Sequence, residues 1–376
     1  MPKKILITYA NAGSGHRKSA EAVEKAVNEL TGGRSEVKTI DALDYSASFF
    51  KKAYPSCYIF MVNHSPAIWG FGYYILDVRL IYSLMVAPLR RLNNSINCKG
   101  LVSFLKDFAP DICINTHFLG SEVMSHMKKG GLLSDTKLIT SVTDYFMHSF
   151  WLNKYTDHYC VADEASRSDL EKRGVESSRI QVTGVPVDPV FGQVKGRENL
   201  CRKLGFNPER QKVLLAGGGF GVGPMTELAK ALLDEVPEME LLTVCGKNDR
   251  LLGDMRILSE KSAGLIRAYG FVDNMDELME VSDVMVTKSG GMTSSEALAK
   301  RLPLIITSAI PGQEARNRDF LLKAGVAVYA PSVSSVRKEL ASLIFEEGKL
   351  AKIRRRIDRI RRPRSAYKVA EFALSV

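Results

Sequence analysis

The chain has 376 residues, 45% hydrophobic and 25% charged, and a formal net charge of +10 at pH 7. This length exceeds one ordinary core and suits two domains, and the composition is that of a soluble globular protein. Six scattered cysteines (Cys57, Cys98, Cys113, Cys160, Cys201 and Cys245), none in C-x-x-C spacing, exclude a sequence-evident zinc site or disulfide framework and fit reduced thiols.

The start, MPKKILITYANAGSGH, runs straight into a strand pattern with no apolar signal segment, so a cytoplasmic location is expected. After the first strand, NAGSGHRKSAEAV (residues 11–23) opens a helix on which Val23, Ala26, Val27 and Leu30 recur at helical spacing. Gly13, Ser14 and Gly15 permit a tight turn and close approach of backbone to a ligand. Arg17 rules out a Walker A loop, and Lys18 stands where a dinucleotide fingerprint needs its third glycine. His16, just past the glycines, is a candidate functional histidine.

Residues 49–82 then hold ten of the chain's aromatic side chains, and the run from Ala53 to Leu76 contains no Asp, Glu, Lys or Arg. That run is long enough to span a bilayer, but Pro66, Gly70 and Gly72 interrupt it. With Lys51, Lys52, Arg79, Arg90 and Arg91 flanking it, it suits a headgroup interface; a helical hairpin buried in the first domain is the alternative.

Strand-like runs EVKTIDAL, DICINTH, KLITSVTD, HYCVAD and RIQVTG complete the first half, and KVLLAGG, MELLTVCG, LIRAYGF, DVMVTKS, PLIITS and VAVYA make the second. Strands alternating with helices predict α/β domains with parallel sheets, joined by a Pro- and Gly-rich linker near residues 185–200. Two such domains in series place a cleft between strand C-terminal ends. His117, Asp144 and His148 lie at first-domain strand ends and join His16 as candidates for a general base or its orienting partner.

In the second half, GGGFGVGP (residues 217–224) follows a strand and precedes a helix, bringing in Gly219 and Phe220. No acidic residue follows the next strand to hold a ribose, which weakens a dinucleotide reading. The most specific stretch covers residues 287–317, TKSGGMTSSEALAKRLPLIITSAIPGQEARN. Ser289, Gly290, Gly291, Met292 and Thr293 open a helix whose bare N–H groups suit a diphosphate. Glu296 is placed for ribose hydroxyls, and Gln313, Glu314 and Asn317 for sugar hydroxyls. Finally KIRRRIDRIRRPR (residues 352–364) sets eight basic residues against one acidic, which points to an anionic partner such as a bilayer surface.

The ordered set GSGHRKSAEA, VTGVPVDP, GGGFGVGP, YGFVDNM and KSGGMTSSEAL…PGQEARN resembles the monogalactosyldiacylglycerol synthases and processive diacylglycerol glucosyltransferases. These are relatives of the transferase that adds N-acetylglucosamine to the peptidoglycan lipid intermediate. The resemblance implies two Rossmann-like domains facing a cleft (the GT-B architecture), with residues 1–190 on the acceptor side, 191–361 binding the donor, and 362–376 crossing back onto the first. It implies inverting transfer of galactose or glucose from a UDP-sugar to diacylglycerol without cofactor or catalytic metal. Phe220, Phe271, Val272 and Met275 would frame the uracil, Ser289 to Thr293 the diphosphate, Glu296 the ribose, and Gln313 with Glu314 the sugar. His16 is the family's candidate base. The expected setting is peripheral, on the inner face of the cell membrane, with no nucleic-acid partner. Alternatives are N-acetylglucosamine transfer to a peptidoglycan lipid intermediate, a soluble UDP-sugar epimerase, or a nucleic-acid binder resting only on the Arg-rich run.

Overall fold

The computed structural model describes residues 2–11, 13–219, 221, 223–235 and 239–376, without the Glu235 side chain. The chain divides into two units, one formed by Met1–Pro189, Ile310–Gln313 and Arg364–Val376, the other by Val190–Ala309 and Glu314–Pro363.

Each of the twelve strand-like runs of the sequence contains one strand. In the first unit these are β1 (Lys4–Tyr9), β2 (Glu36–Asp41), β3 (Ile112–Asn115), β4 (Lys137–Ser141), β5 (His158–Val161) and β6 (Ile180–Val182). They form one parallel sheet in the order β2-β1-β3-β4-β5-β6. Both faces of the central strands are covered, so β1, β3 and β4 read as apolar runs, while the edge strand β2 is largely half-exposed. On one face Ile5, Ile7, Ile112 and Ile114 pack under helix Ser14–Thr31 and helix Ser365–Ser375, through Val23, Val27, Val369 and Ala370. On the other, Leu6, Cys113 and Leu138 meet Leu101 and Leu105 of helix Lys99–Phe108, and Leu119 and Val123 of helix Phe118–Lys129.

The second unit contains β7 (Lys212–Ala216), β8 (Glu240–Val244), β9 (Ile266–Tyr269), β10 (Val284–Thr287), β11 (Leu304–Ile306) and β12 (Ala327–Tyr329). Their parallel sheet runs β12-β11-β10-β7-β8-β9, the order of a dinucleotide-binding fold, whereas the first sheet has the flavodoxin-like order.

The aromatic insertion folds as helix Ser48–His64, helix Pro66–Asp77 and a further helical run, Arg79–Asn97, broken by a π-turn at Tyr82–Val86. Helix Pro66–Asp77 and the run Arg79–Asn97 meet at 82°, and among the described residues no single helix is long and apolar enough to cross a membrane. The buried-hairpin alternative does not hold. Phe49, Phe60, Ile68, Phe71, Leu80, Leu84, Met85, Leu89, Leu92 and Ile96 are all exposed. The inner side is held by apolar packing, with Phe50 and Tyr54 against the first-unit core and Tyr73 and Tyr82 buried, and by polar contacts. Asp77 pairs with Arg173 at 3.0 Å and accepts from the Ser149 N–H at 2.8 Å. Arg90 pairs with the buried Glu122 at 2.5 Å and lies 4.9 and 4.6 Å from the Phe118 and Phe150 rings.

The basic run lies largely on helix Lys349–Ile360, whose Ile353 and Ile357 are buried. Part of its charge is structural. Arg354 pairs with Asp283 at 3.3 Å, and Asp358 bridges Arg301 at 2.6 Å and Arg361 at 3.0 Å. Lys352, Arg355, Arg359 and Arg362 remain exposed.

Candidate functional site

In an open α/β sheet, ligands gather at strand C-terminal ends where the strand order reverses. In the first unit that point lies between β1 and β3, and the segments leaving these two strands meet there. His16, in the first turn of helix Ser14–Thr31, places Nδ1 2.8 Å from the Thr116 carbonyl oxygen and 3.1 Å from Thr143 Oγ1. Thr116 Oγ1 donates back to the His16 carbonyl at 2.8 Å. A carbonyl only accepts, so Nδ1 carries the proton and Nε2 holds the lone pair, a tautomer assigned from the hydrogen-bond network. Burial holds the His16 pKa below its ordinary value, and the Asp144 charge and the Thr116 carbonyl oppose that shift.

The other two histidines are arranged the opposite way. His117 Nδ1 accepts from the Leu119 N–H at 3.1 Å as the N-cap of helix Phe118–Lys129, leaving the proton on Nε2. Its ring meets that of His16 edge to face at 4.6 Å, and burial, reinforced by the positive charges of His16 and Arg90, pushes its pKa well down. His148 Nδ1 accepts from the Phe150 N–H at 3.1 Å, and its Nε2–H donates to the Tyr73 carbonyl at 2.9 Å. His148 is therefore saturated by backbone. Asp144 is buried, and both of its carboxylate oxygens lie 3.0 Å from Gln313 Nε2.

The residues beside His16 are plainer than their composition suggests. Gly13 is extended at φ 174°, a backbone any residue adopts, and a Cβ there would meet nothing within 4 Å. The space beside it is open. Ser14 and Gly15 begin the helix, whose N-cap is Gly13, and among the described residues no side chain caps it.

In the second unit the order reverses between β7 and β10. After β10 come Lys288 and Ser289, and Gly290 precedes helix Gly291–Ala299 without a side-chain cap. Buried Ser289 donates through Oγ to the Glu314 carbonyl at 2.8 Å, and Lys288 forms an ion pair with the Glu314 carboxylate. Met292 and Glu296 are buried and Thr293 is half-buried. Asn317, on helix Gln313–Lys323, is fully buried. After β7, Gly218 adopts φ +73° with Lys288 Cε 3.2 Å from where its Cβ would be. Gly219 accepts at its carbonyl from the Lys247 N–H at 3.0 Å, which ties the glycine loop to the segment after β8. The Lys247 ammonium lies 5.8 Å from the Phe271 ring, which is more than half exposed. Val272 and Met275 are half-buried beyond it, and Phe220 lies outside the described residues.

The structure thus collects Gly219, Lys288, Ser289 to Thr293, Glu296, Glu314 and Asn317 in the second unit. Gly13, Ser14, Gly15, His16, His117, Asp144, His148 and Gln313 belong to the first. Lys288, Thr116 and Thr143 were not singled out by sequence reasoning. A signal existed for the first two, since both directly follow strand runs (VMVT-K and ICIN-T). Among the described residues, no three His, Cys, Asp or Glu side chains gather as metal ligands.

The family description "Monogalactosyldiacylglycerol (MGDG) synthase" matches residues 16–187, and "Glycosyltransferase family 28 C-terminal domain" matches residues 213–344. Monogalactosyldiacylglycerol synthase 1 of Arabidopsis thaliana is 30% identical over 98% of this chain and 70% of its own length. The chain belongs to the monogalactosyldiacylglycerol synthase family. The spinach synthase is 32% identical over 90% of this chain, which spans 66% of that relative's length. A processive diacylglycerol beta-glucosyltransferase of Bacillus cytotoxicus is 28% identical over 99% of this chain and 93% of its own. The fold of the family is also that of Acinetobacter baumannii MurG, which covers the whole chain at TM-score 0.62 and 13% identity.

Proposed function

We propose that this chain is an inverting glycosyltransferase that moves galactose or glucose from a UDP-hexose to the hydroxyl of diacylglycerol. Family membership carries the reaction class. The observation that carries the chemistry is the pinned tautomer of His16, the one candidate histidine whose Nε2 holds a lone pair.

His16 Nε2 takes the proton of the acceptor hydroxyl as its oxygen attacks the anomeric carbon from the face opposite UDP. Asp144 and the Thr116 carbonyl favour the imidazolium that forms. The open backbone at Gly13 to Gly15 leaves room for the reacting groups beside His16. The leaving diphosphate gathers charge at the uncapped start of helix Gly291–Ala299, where fixed N–H dipoles stabilise it. Glu296 serves the ribose, Phe271, Val272, Met275 and Phe220 the uracil, and Gln313, Glu314 and Asn317 the transferred sugar. No step calls on a metal, so chelation should leave turnover unchanged.

The exposed apolar residues of the insertion, with Lys52, Arg79 and Arg91 exposed among them, support peripheral docking on an anionic cytoplasmic membrane face, where the acceptor resides. The deciding assay crosses UDP-glucose, UDP-galactose and UDP-N-acetylglucosamine with diacylglycerol-containing liposomes. A β-hexosyldiacylglycerol product is expected from one of the first two donors. Transfer only from the third, or epimerised donor without any acceptor, would overturn the proposal.

A further inference from the structure

Ile310–Gln313 groups with the first unit, and its contacts there follow one face of helix Pro66–Asp77. A Cβ on Gly70 would lie 2.6 Å from Pro311 Cβ, so only glycine lets the loop approach. Gly312, at φ +91°, packs so closely on Tyr73 that a Cβ would sit 2.7 Å from the ring's Cγ. Gln313 reaches Asp144 with its carboxamide at 3.0 Å. Tyr73 is itself held, its carbonyl by His148 Nε2–H and its ring 4.1 Å from the His148 ring. Three consecutive residues, Pro311 and Gly312 of the loop and Gln313 at the helix start, are each fixed by a first-unit side chain or glycine.

Gly70, Tyr73 and Asp77 recur at helical spacing and turn inward. Ile68, Phe71 and Tyr74 are exposed. The helix therefore has one apolar exposed side and one side that grips the loop.

The geometry points to helix Pro66–Asp77 as a clamp on the donor-sugar loop: Gly70 and Tyr73 set where the Gln313 carboxamide sits, and so act as positioning residues for recognition of the hexose. Nothing in the clamp concerns the nucleotide. A segment of the acceptor-side insertion would thereby govern how the donor sugar is read. The inference rests on the proposed contact between Gln313 and the transferred sugar.

The test compares UDP with UDP-galactose and UDP-glucose by calorimetric titration of the full chain. Gly70→Ala must displace Pro311, whose ring carbon is no flexible tip. Gly72→Ala, on the same helix with nothing within 4 Å of the added carbon, is the control. Gly70→Ala should weaken UDP-hexose binding about tenfold, the worth of one well-placed hydrogen bond, while UDP binding and the Gly72→Ala variant stay at wild type. Tyr73→Leu keeps the carbonyl bond to His148 and should erode discrimination between the two hexoses, which covers a Gly70→Ala chain that fails to fold. Gln313→Ala separates the two layers of the argument. If it leaves UDP-hexose binding unchanged, the sugar contact itself is wrong. If it weakens binding while Gly70→Ala and Tyr73→Leu do not, the clamp is wrong.

Discussion

His16 and Thr116 are joined twice: the imidazole Nδ1–H donates to the Thr116 carbonyl at 2.8 Å, and the Thr116 hydroxyl returns a bond of 2.8 Å to the His16 carbonyl. The pair fixes ring, backbone and tautomer together, across the two strands where the sheet order reverses. His16→Ala should lower kcat by roughly 10²–10⁴, the range for removal of a general base, with UDP affinity unchanged by calorimetry. Turnover close to wild type would exclude His16 as the base.

The base must be unprotonated to work, and burial holds the His16 pKa below 6.5. The acid limb of kcat/KM should therefore fall below pH 6.5, with activity rising as pH increases through it. Asp144 opposes the shift, so Asp144→Asn should move the limb to still lower pH. A limb that stays in place on this substitution would remove Asp144 from the electrostatics of His16.

Stability should follow the same histidines. His16 and His117 have depressed pKa values when folded, so the unfolded chain binds more protons in this range. Their contribution is complete above the unfolded value of 6.5 and is lost as pH falls below it towards the folded values. Thermal unfolding followed by circular dichroism should show a melting temperature that declines below pH 6.5, and less steeply in His117→Asn, which keeps a capping side chain.

His148 behaves as a structural residue, with one ring nitrogen accepting from the Phe150 N–H and the other donating to the Tyr73 carbonyl. His148→Ala should cost about 1–3 kcal/mol, the penalty for leaving a buried partner unsatisfied, read as a lower denaturant midpoint. The pH–rate profile of the folded variant should keep its shape.

Leu84 and Leu89 are about two-thirds exposed on the bent run after helix Pro66–Asp77. Exposed positions tolerate substitution within about 0.5 kcal/mol, so Leu84→Asp with Leu89→Asp should fold normally. The double variant should no longer sediment with anionic vesicles. Retained sedimentation would place membrane contact elsewhere.

The central strands β3, β4, β7, β8 and β10 were legible because each is buried on both faces and so reads as a short apolar run between turn signals, whereas the half-exposed β2, β6, β9 and β12 were legible from their β-branched and aromatic residues. In the loop after β7 the glycines answer to backbone geometry, since Gly218 and Gly221 both take left-handed φ and a Cβ on Gly221 would strike the Cys245 carbonyl. Gly13 has an extended φ that does not itself require glycine. Gly70 looked like an interruption of an apolar helix, and its cause is Pro311, far along the chain and invisible to any local pattern. Gln313 read as second-domain by position, yet Asp144, Tyr73 and Gly70 draw its loop into the first unit. His117 and His148 looked like catalytic candidates because strand-end histidines often are. Only the backbone N–H groups two residues on reveal them as caps.

Helix Ser365–Ser375 lays Ala366, Val369, Ala370 and Ala373 against Ala20, Val23, Ala26 and Val27. On the ribosome, residues 190–363 must all emerge before that layer can close over β1 and β3. The unit that carries His16 therefore waits, partly uncovered, while the intervening one is made. Its assembly is a matter of translation timing as much as of local sequence, and a chaperone that shields apolar surface would have its longest opportunity there.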